Sequence, residues 1–294
     1  MEQRNDPRAL GRVLLSMAIF GTIGLFRRLI DLPSSFIAFA RGVIGAAFIL
    51  LLLAVRRRRF QWETMRGYWP RVLLSGALLG FNWIMMFEAY RFTTVSVATL
   101  CYYMAPVLVV LLSPALLRER MSPRRMLFMA LAVLGMLLVS GVLGSRIQGA
   151  RGVALSLAAA GLYAAIVLMN KTVRGVPGLD KTLVQMLACA VVLLPYVLLT
   201  EPVASLAFTP QAVALLLVVG VVHTGVTYAL YFSSMDGLRA QTVALASYID
   251  PVVAVAVSAL FLHEQMTALQ WVGAALVLLA TMAGEVLPER GTKA

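Results

Sequence analysis

Four ionisable residues interrupt runs that are otherwise apolar: Arg41, Glu88, His223 and Asp250. At the centre of a membrane helix a charge costs about 2.5–3.5 kcal/mol on insertion scales, and such residues line pathways, form relays or pair with one another. Asp250 stands in "ASYIDPVVAV" at 246–255. On a helix, Ala246, Asp250, Ala254 and Ser258 form one stripe of small or polar residues that should face a bundle interior. His223 shares a face with Gly220, Thr227 and Tyr231, with Thr224 and Tyr228 alongside. An imidazole titrates near neutrality, so His223 is a candidate cavity residue or proton carrier as well as a candidate packed, hydrogen-bonded side chain. Arg41 shares a face with Ser34, Ala38 and Gly45, which suggests an inward guanidinium seeking a carboxylate. Glu88 is the expected partner and Asp250 the second choice; a substrate carboxylate is the functional alternative. Asn82–Trp83 in "GFNWIMMFEAY" and Thr227–Tyr228 each offer a hydrogen-bonding residue followed by an aromatic one. Apolar walls with a few convergent polar groups are what a small-molecule cavity needs. Tyr102, Tyr103, Tyr163 and Tyr248 are further candidates for it.

The elements that must carry these residues are membrane helices. The 294-residue chain is 61% apolar and 13% charged, with a mean hydropathy of +0.89. That composition belongs to an integral membrane protein. About 20 consecutive apolar residues cross a bilayer as a helix. On that measure ten spans are expected, at 10–26, 34–54, 71–90, 95–117, 125–143, 152–170, 180–199, 211–232, 242–262 and 268–286. The first holds Arg12 near its start and lacks a small-residue cleavage site beyond it, so it reads as a retained helix. The net charge of +12 is a topology signal and not a nucleic-acid footprint. With the amino terminus in the cytoplasm, 19 of the Lys and Arg residues fall on cytoplasmic segments and 5 on the opposite loops, apart from Arg41 within a span. This is the positive-inside pattern, and it puts both termini in the cytoplasm. "RRRRF" at 56–60 reads first as a topogenic loop, with contact to anionic lipid heads as its second use. Cys101 and Cys189, both within spans, make neither a disulfide framework nor a metal cluster.

The chain repeats itself. A shift of 145 brings Gly80 onto Gly225, Phe87 onto Phe232, Leu100 onto Leu245, Tyr103 onto Tyr248, Pro106 onto Pro251, Ser113 onto Ser258, Glu119 onto Glu264 and Met121 onto Met266. A shift of 140 brings Val13, Leu15, Ser16, Ala18 and Gly21 onto Val153, Leu155, Ser156, Ala158 and Gly161. Two units result, about 1–145 and 146–294, of five spans each. An odd number of spans inverts the second unit relative to the first, the arrangement of secondary transporters whose sites lie between the halves. Residues common to both units read as scaffold, and polar residues present in one unit only are better candidates for chemistry. Asp250 falls opposite Ala105, and His223 opposite Leu78. Pro106 and Pro251, near the middle of their spans, are candidates for hinges or static kinks. Glu119 and Glu264 close their spans ahead of Ser122–Pro123 and Thr267, which suit helix starts, and read as terminal anchors.

"SMAIFGTIG" and "SLAAAGLYA" at the unit starts, with "TVSVATLCYYMAPVLVVLLSPALLRERMS" and "QTVALASYIDPVVAVAVSALFLHEQMT" later, resemble the EamA-type repeat of the drug/metabolite transporter superfamily. The resemblance covers nearly the whole chain. It implies an all-α, ten-helix membrane protein that exports small metabolites, amino acids among them, across the bacterial inner membrane; relatives carry nucleotide sugars and triose phosphates. At "IFG", 19–21, the sequence departs from a tryptophan common in the family, so no ligand-facing aromatic is carried over there. His-Glu-x-x-His, the phosphate-binding Gly-x-x-x-x-Gly-Lys and a nucleophile elbow are all missing, which speaks against a familiar hydrolase or an ATP-driven pump. The expectation is a secondary or facilitative transporter, not an enzyme, without cofactor or metal. Its partners are a small-molecule substrate, membrane lipid and, as a candidate coupling ion, the proton, with no nucleic acid, in a monomer or homodimer. The rivals are a flippase for lipid-linked substrates, which needs a lateral opening, and an intramembrane enzyme using Asp250 and His223.

Overall fold

The computed structural model describes residues 6–92, 98, 101–117, 122–139, 150–261 and 268–286, and among them every regular element is a helix. Asp6 caps α1 (Pro7–Gly21), its side chain accepting the Arg8 N–H, with Pro7 at the first helical position. After a break at Thr22 comes α2 (Ile23–Leu29). The first half continues with α3 (Ser34–Val55), the short α4 (Trp62–Met65), α5 (Trp69–Phe92), α6 (Met104–Leu117) and α7 (Pro123–Val139). The second half holds α8 (Ala150–Thr172), α9 (Gly178–Thr200), α10 (Pro210–Val218), a π-helical stretch at Val219–Val226, α11 (Thr227–Ser234), α12 (Ala240–Ala246), α13 (Ile249–Phe261) and α14 (Ala268–Val286). Six stretches are long and apolar enough to cross a membrane: Pro7–Arg27, Ser34–Val55, Trp69–Ala89, Ala150–Thr172, Gly178–Thr200 and Pro210–Ser234. Leu51, Leu198 and Leu199 on their outer faces are exposed, as lipid-facing leucines are. The chain is a multi-pass membrane protein.

Two expected spans are broken, and at matching places. α13 starts at Ile249 after a turn at Ser247–Tyr248, and α6 starts at Met104 after a turn at Tyr103. Each carries its proline as the third residue. A proline disfavours helical backbone just before it and lacks an N–H, so it is tolerated in a first turn and resisted mid-helix. Pro106 and Pro251 therefore sit at helix starts and not at kinks within continuous spans, and Ala246 and Asp250 do not share one uninterrupted helix. Glu119, Glu264 and the junction near residue 145 lie outside the described residues, as does the side chain of Ser258.

Contacts run mainly between the halves. α3 lies along α9, α7 along α14, and α6 against α12; α5 packs on α8 and α9, and α6 on α8. In turn α1 packs on α11 and α13, and α3 on the π-helical stretch. Under the 140- and 145-residue shifts of the sequence, the α5–α8 contact matches α1–α11, and the α6–α8 contact matches α1–α13. Backbones approach closely enough that a Cβ on Gly135 of α7 would lie 2.8 Å from the Gly273 carbonyl oxygen of α14, the small-residue packing that membrane helices favour. In the π-helical stretch, Thr224 and Thr227 hydroxyls donate to the carbonyls of Val219 (3.0 Å) and Val222 (2.7 Å), five residues back.

One end of the bundle, where the chain begins, is tied by polar groups. Lys171 and Lys181, at the edges of two expected spans, are buried. Lys171 Nζ donates to the carbonyls of Met235 and Leu238, and Lys181 Nζ to that of Val173 (3.2 Å). Beside them the Asp6 N–H donates to the Gly237 carbonyl (2.9 Å), and Asp180 accepts from Arg58 (3.2 Å) and from the Gln61 N–H (3.0 Å).

Candidate functional site

A cavity of about 130 Å³ lies between the halves. Its frame comes from two residue pairs. Trp83 of α5 donates its indole N–H to the Tyr228 hydroxyl of α11 at 3.2 Å. At the two helix breaks, Tyr248 donates to the Tyr103 carbonyl at 3.4 Å, with the rings 6.3 Å apart. Both pairs are separated by 145 residues, the repeat shift itself. Each pair thus joins one residue from either side of the sequence echo, and Trp83, Tyr228 and Tyr103 line the cavity. Phe20 packs edge-on against Tyr228 at 4.9 Å, and Tyr102 and Tyr163 close the opposite wall with rings 5.8 Å apart.

Into this aromatic box project two groups of opposite charge. Arg41 on α3 is 4% exposed, and its guanidinium lies over the Trp83 ring, 4.3 Å from the centroid. Its Nε donates to Thr224 Oγ1 at 3.1 Å, from the π-helical stretch. A desolvated cation over an aromatic face gains about 2 kcal/mol or more, which offsets part of the cost of a buried guanidinium. Among the described residues no carboxylate comes within ion-pair distance of it, and its terminal amino groups are not among the buried atoms without a partner. They open onto the cavity. Asp250, part-buried at the start of α13, also lines the cavity, and the Tyr103 hydroxyl reaches its carboxyl. The space between the two charges is the cavity itself.

Several expected roles change. Glu88 does not pair with Arg41: it accepts from Arg91 one turn away at 3.0 and 3.1 Å, and that bond raises the exposed Arg91 guanidinium above its ordinary range. The i, i+3 spacing makes Arg91 a neighbour on the same helix surface. His223 lies behind the cavity wall. Its Nε2 meets the Thr22 hydroxyl at 2.8 Å at the break between α1 and α2, Phe26 packs edge-on at 4.7 Å, and Nδ1 is buried without a partner. Asn82 donates to the Ala159 carbonyl (2.7 Å) and ties α5 to α8. Thr227 is satisfied within its own helix, and Tyr231 supports Tyr163 through a 2.8 Å hydroxyl contact. Of the remaining candidates, Trp83, Tyr103, Pro106 and Tyr228 line the cavity, while Tyr248 is buried beneath it and Pro251 stays outside the lining. Sequence reasoning missed Met17, Phe20, Ile23, Ala105 and Ser247. Phe20 is the middle residue of "IFG", so an aromatic does face the cavity from the first span. Cys101 and Cys189 are free, and no metal-ligand cluster occurs among the described residues.

The model of the EamA-like transporter family matches this chain twice, at residues 9–141 and 150–283. The chain belongs to the EamA-like transporter family. Among its EamA-like relatives, the uncharacterized transporter YxxF of Bacillus subtilis (strain 168) is 28% identical over 267 residues, covering 89% of this chain and 84% of the relative. A second from the same organism, the uncharacterized transporter YoaV, is 26% identical over 252 residues, covering 84% and 85%. The uncharacterized transporter PA0485 of Pseudomonas aeruginosa is 31% identical over 123 residues, covering 40% of this chain and 41% of the relative. A solved crystal structure superposes with a TM-score of 0.84 at 18% identity, covering 95% of this chain and 97% of its own; that likeness establishes a shared fold.

Proposed function

We propose that this EamA-like protein is a ten-helix transporter of two inverted five-helix units, about 1–145 and 146–294, that exports a small amphipathic metabolite bearing both a carboxylate and an ammonium group. Amino acids are the simplest such solutes. The observation that carries the reading is the pair Arg41 and Asp250, which face one aromatic cavity from opposite halves without pairing to each other. A substrate carboxylate would meet the open amino groups of Arg41, its ammonium would meet Asp250, and its apolar body would lie among Trp83, Tyr228 and Phe20. The helix starts at Met104 and Ile249 add to this polarity, because a helix amino terminus carries partial positive charge. Asp250 offsets it on α13, while Ala105 leaves it uncompensated on α6.

Broken helices flanking a site between repeats are the usual machinery of alternating access, and the exchange-related contacts of the two halves support it here. The charge distribution supports cytoplasmic termini in the bacterial inner membrane. The test is flux through liposomes containing the purified protein, with labelled neutral amino acids competed by their decarboxylated amines and deaminated acids. Zwitterions should compete best. If no member of a broad panel of amino acids, amines and sugars moves under any pH gradient, the transport reading fails. Accumulation driven by a proton gradient and lost in Asp250→Asn but kept in His223→Gln would mark Asp250 as the coupling group, the reverse would mark His223, and simple equilibration would mark facilitated movement.

A further inference from the structure

The segment joining α3 to α5 carries Arg56, Arg57, Arg59 and Arg66 exposed on its surface, against a single acid, Glu63. It is not a loose charged loop. Phe60, Trp62 and Trp69 form an aromatic cluster with ring centroids 4.7 to 6.1 Å apart, and Trp62 is 65% exposed. Arg58 turns inward to the buried Asp180, which also accepts the Gln61 N–H. Beneath, Met65 and Val72 join Val173, Val176 and Val184 of the second half in a small apolar core. The segment thus has a fixed shape at the end of two membrane-crossing stretches, Ser34–Val55 and Trp69–Ala89. Indole rings favour the head-group boundary, where one edge is apolar and the other wet. Arginines beside them would lie at the depth of lipid phosphates and offer fork-shaped donors that suit those oxygens.

We infer that residues 56–71 are a binding seat for anionic phospholipid head groups, with Arg56, Arg57 and Arg59 holding the phosphate and Trp62 lying along the glycerol and upper acyl region. Charge complementarity selects the occupant: one carboxylate among the five exposed arginines of 56–71, Arg71 included, repels a cationic partner and favours an anionic leaflet. Because the seat belongs to the first half and rests on Asp180 and three valines of the second, an occupied seat braces the two halves at this end.

The test uses the full chain in nanodiscs of mixed phosphatidylcholine and phosphatidylglycerol, with the retained lipid counted by native mass spectrometry. A basic residue near the surface favours anionic lipid by about five-fold, so the wild type should retain phosphatidylglycerol well above its bulk fraction. A variant carrying Arg56→Gln, Arg57→Gln and Arg59→Gln should fall close to that fraction, and Trp62→Ala part of the way. The three arginine side chains are exposed, so the triple variant should melt like the wild type in pure phosphatidylcholine but lack the wild type's gain in Tm when phosphatidylglycerol is added. Equal retention by wild type and triple variant overturns the seat, and so does a wild type without preference. Loss of the preference on adding millimolar inorganic phosphate alone overturns the lipid assignment in favour of a free-anion site. None of these readouts depends on the transported solute.

Discussion

The two halves of the molecule are alike where they meet and unlike where they face the cavity. Trp83 meets Tyr228 and Tyr103 meets Tyr248, each the counterpart of the other, and these contacts build the frame. Ala105 and Asp250 occupy corresponding places at two helix starts, and only one is charged. Arg41 has a similar history. Counted from Pro33 and Pro177, which precede α3 and α9, it corresponds to Gln185. That amide is buried and spends its donors on Ser75 (2.5 Å) and Asn170 (3.1 Å), whereas Arg41 turns to the cavity. His223 also breaks the repeat, yet it packs behind the wall. Departure from the repeat therefore identifies residues released from scaffold duty, and geometry then decides which of them meet a ligand.

The sharpest way to break this comparison is to remove the charges that make the halves differ. Arg41→Met keeps length and loses the donors; affinity for carboxylate-bearing solutes should fall by about 10- to 100-fold, the range for bonds to a charged group, measured by competition for flux. Asp250→Asn should weaken binding of ammonium-bearing solutes by about 10-fold while deaminated acids still bind. If both variants shift all solutes equally, the two charges do not divide the ligand between them. Packing sharpens the comparison on a smaller scale. Gly80 and Gly225 are counterparts, but an added Cβ at Gly225 would sit 2.5 Å from the Phe48 ring, against 3.4 Å from the Cys189 carbonyl oxygen at Gly80. Gly225→Ala should cost about 1–3 kcal/mol by overpacking and lower the Tm in detergent, with Gly80→Ala close to neutral. The smallest effect belongs to the frame itself: Tyr228→Phe takes the acceptor from the Trp83 indole and should cost about 1 kcal/mol, seen in the same melt.

The helical class was legible because apolar run length is a long-range signal that tolerates local error. An inward Arg41 was legible too, since its helix face is otherwise small. Its environment was not. A sequence pairs charges by sign and approximate depth, which favoured Glu88, but Arg91 lies one turn from Glu88 and captures it. The stacking of Arg41 on Trp83 joins α3 to α5 through tertiary geometry that no spacing encodes. Phe20 was passed over because the resemblance directed attention to a missing tryptophan and away from the aromatic present. The breaks at Tyr103 and Ser247–Tyr248 were signalled by Pro106 and Pro251, whose effect falls on the residues before them.

The pairing of α7 with α14 has a consequence for synthesis. α7 ends at Val139 and its principal neighbour begins at Ala268, so more than a hundred residues emerge from the ribosome before the two can join. α3 waits likewise for α9, and α5 for α8. Until those partners are made, the faces of α3, α5 and α7 that meet them in the bundle have no protein neighbour there.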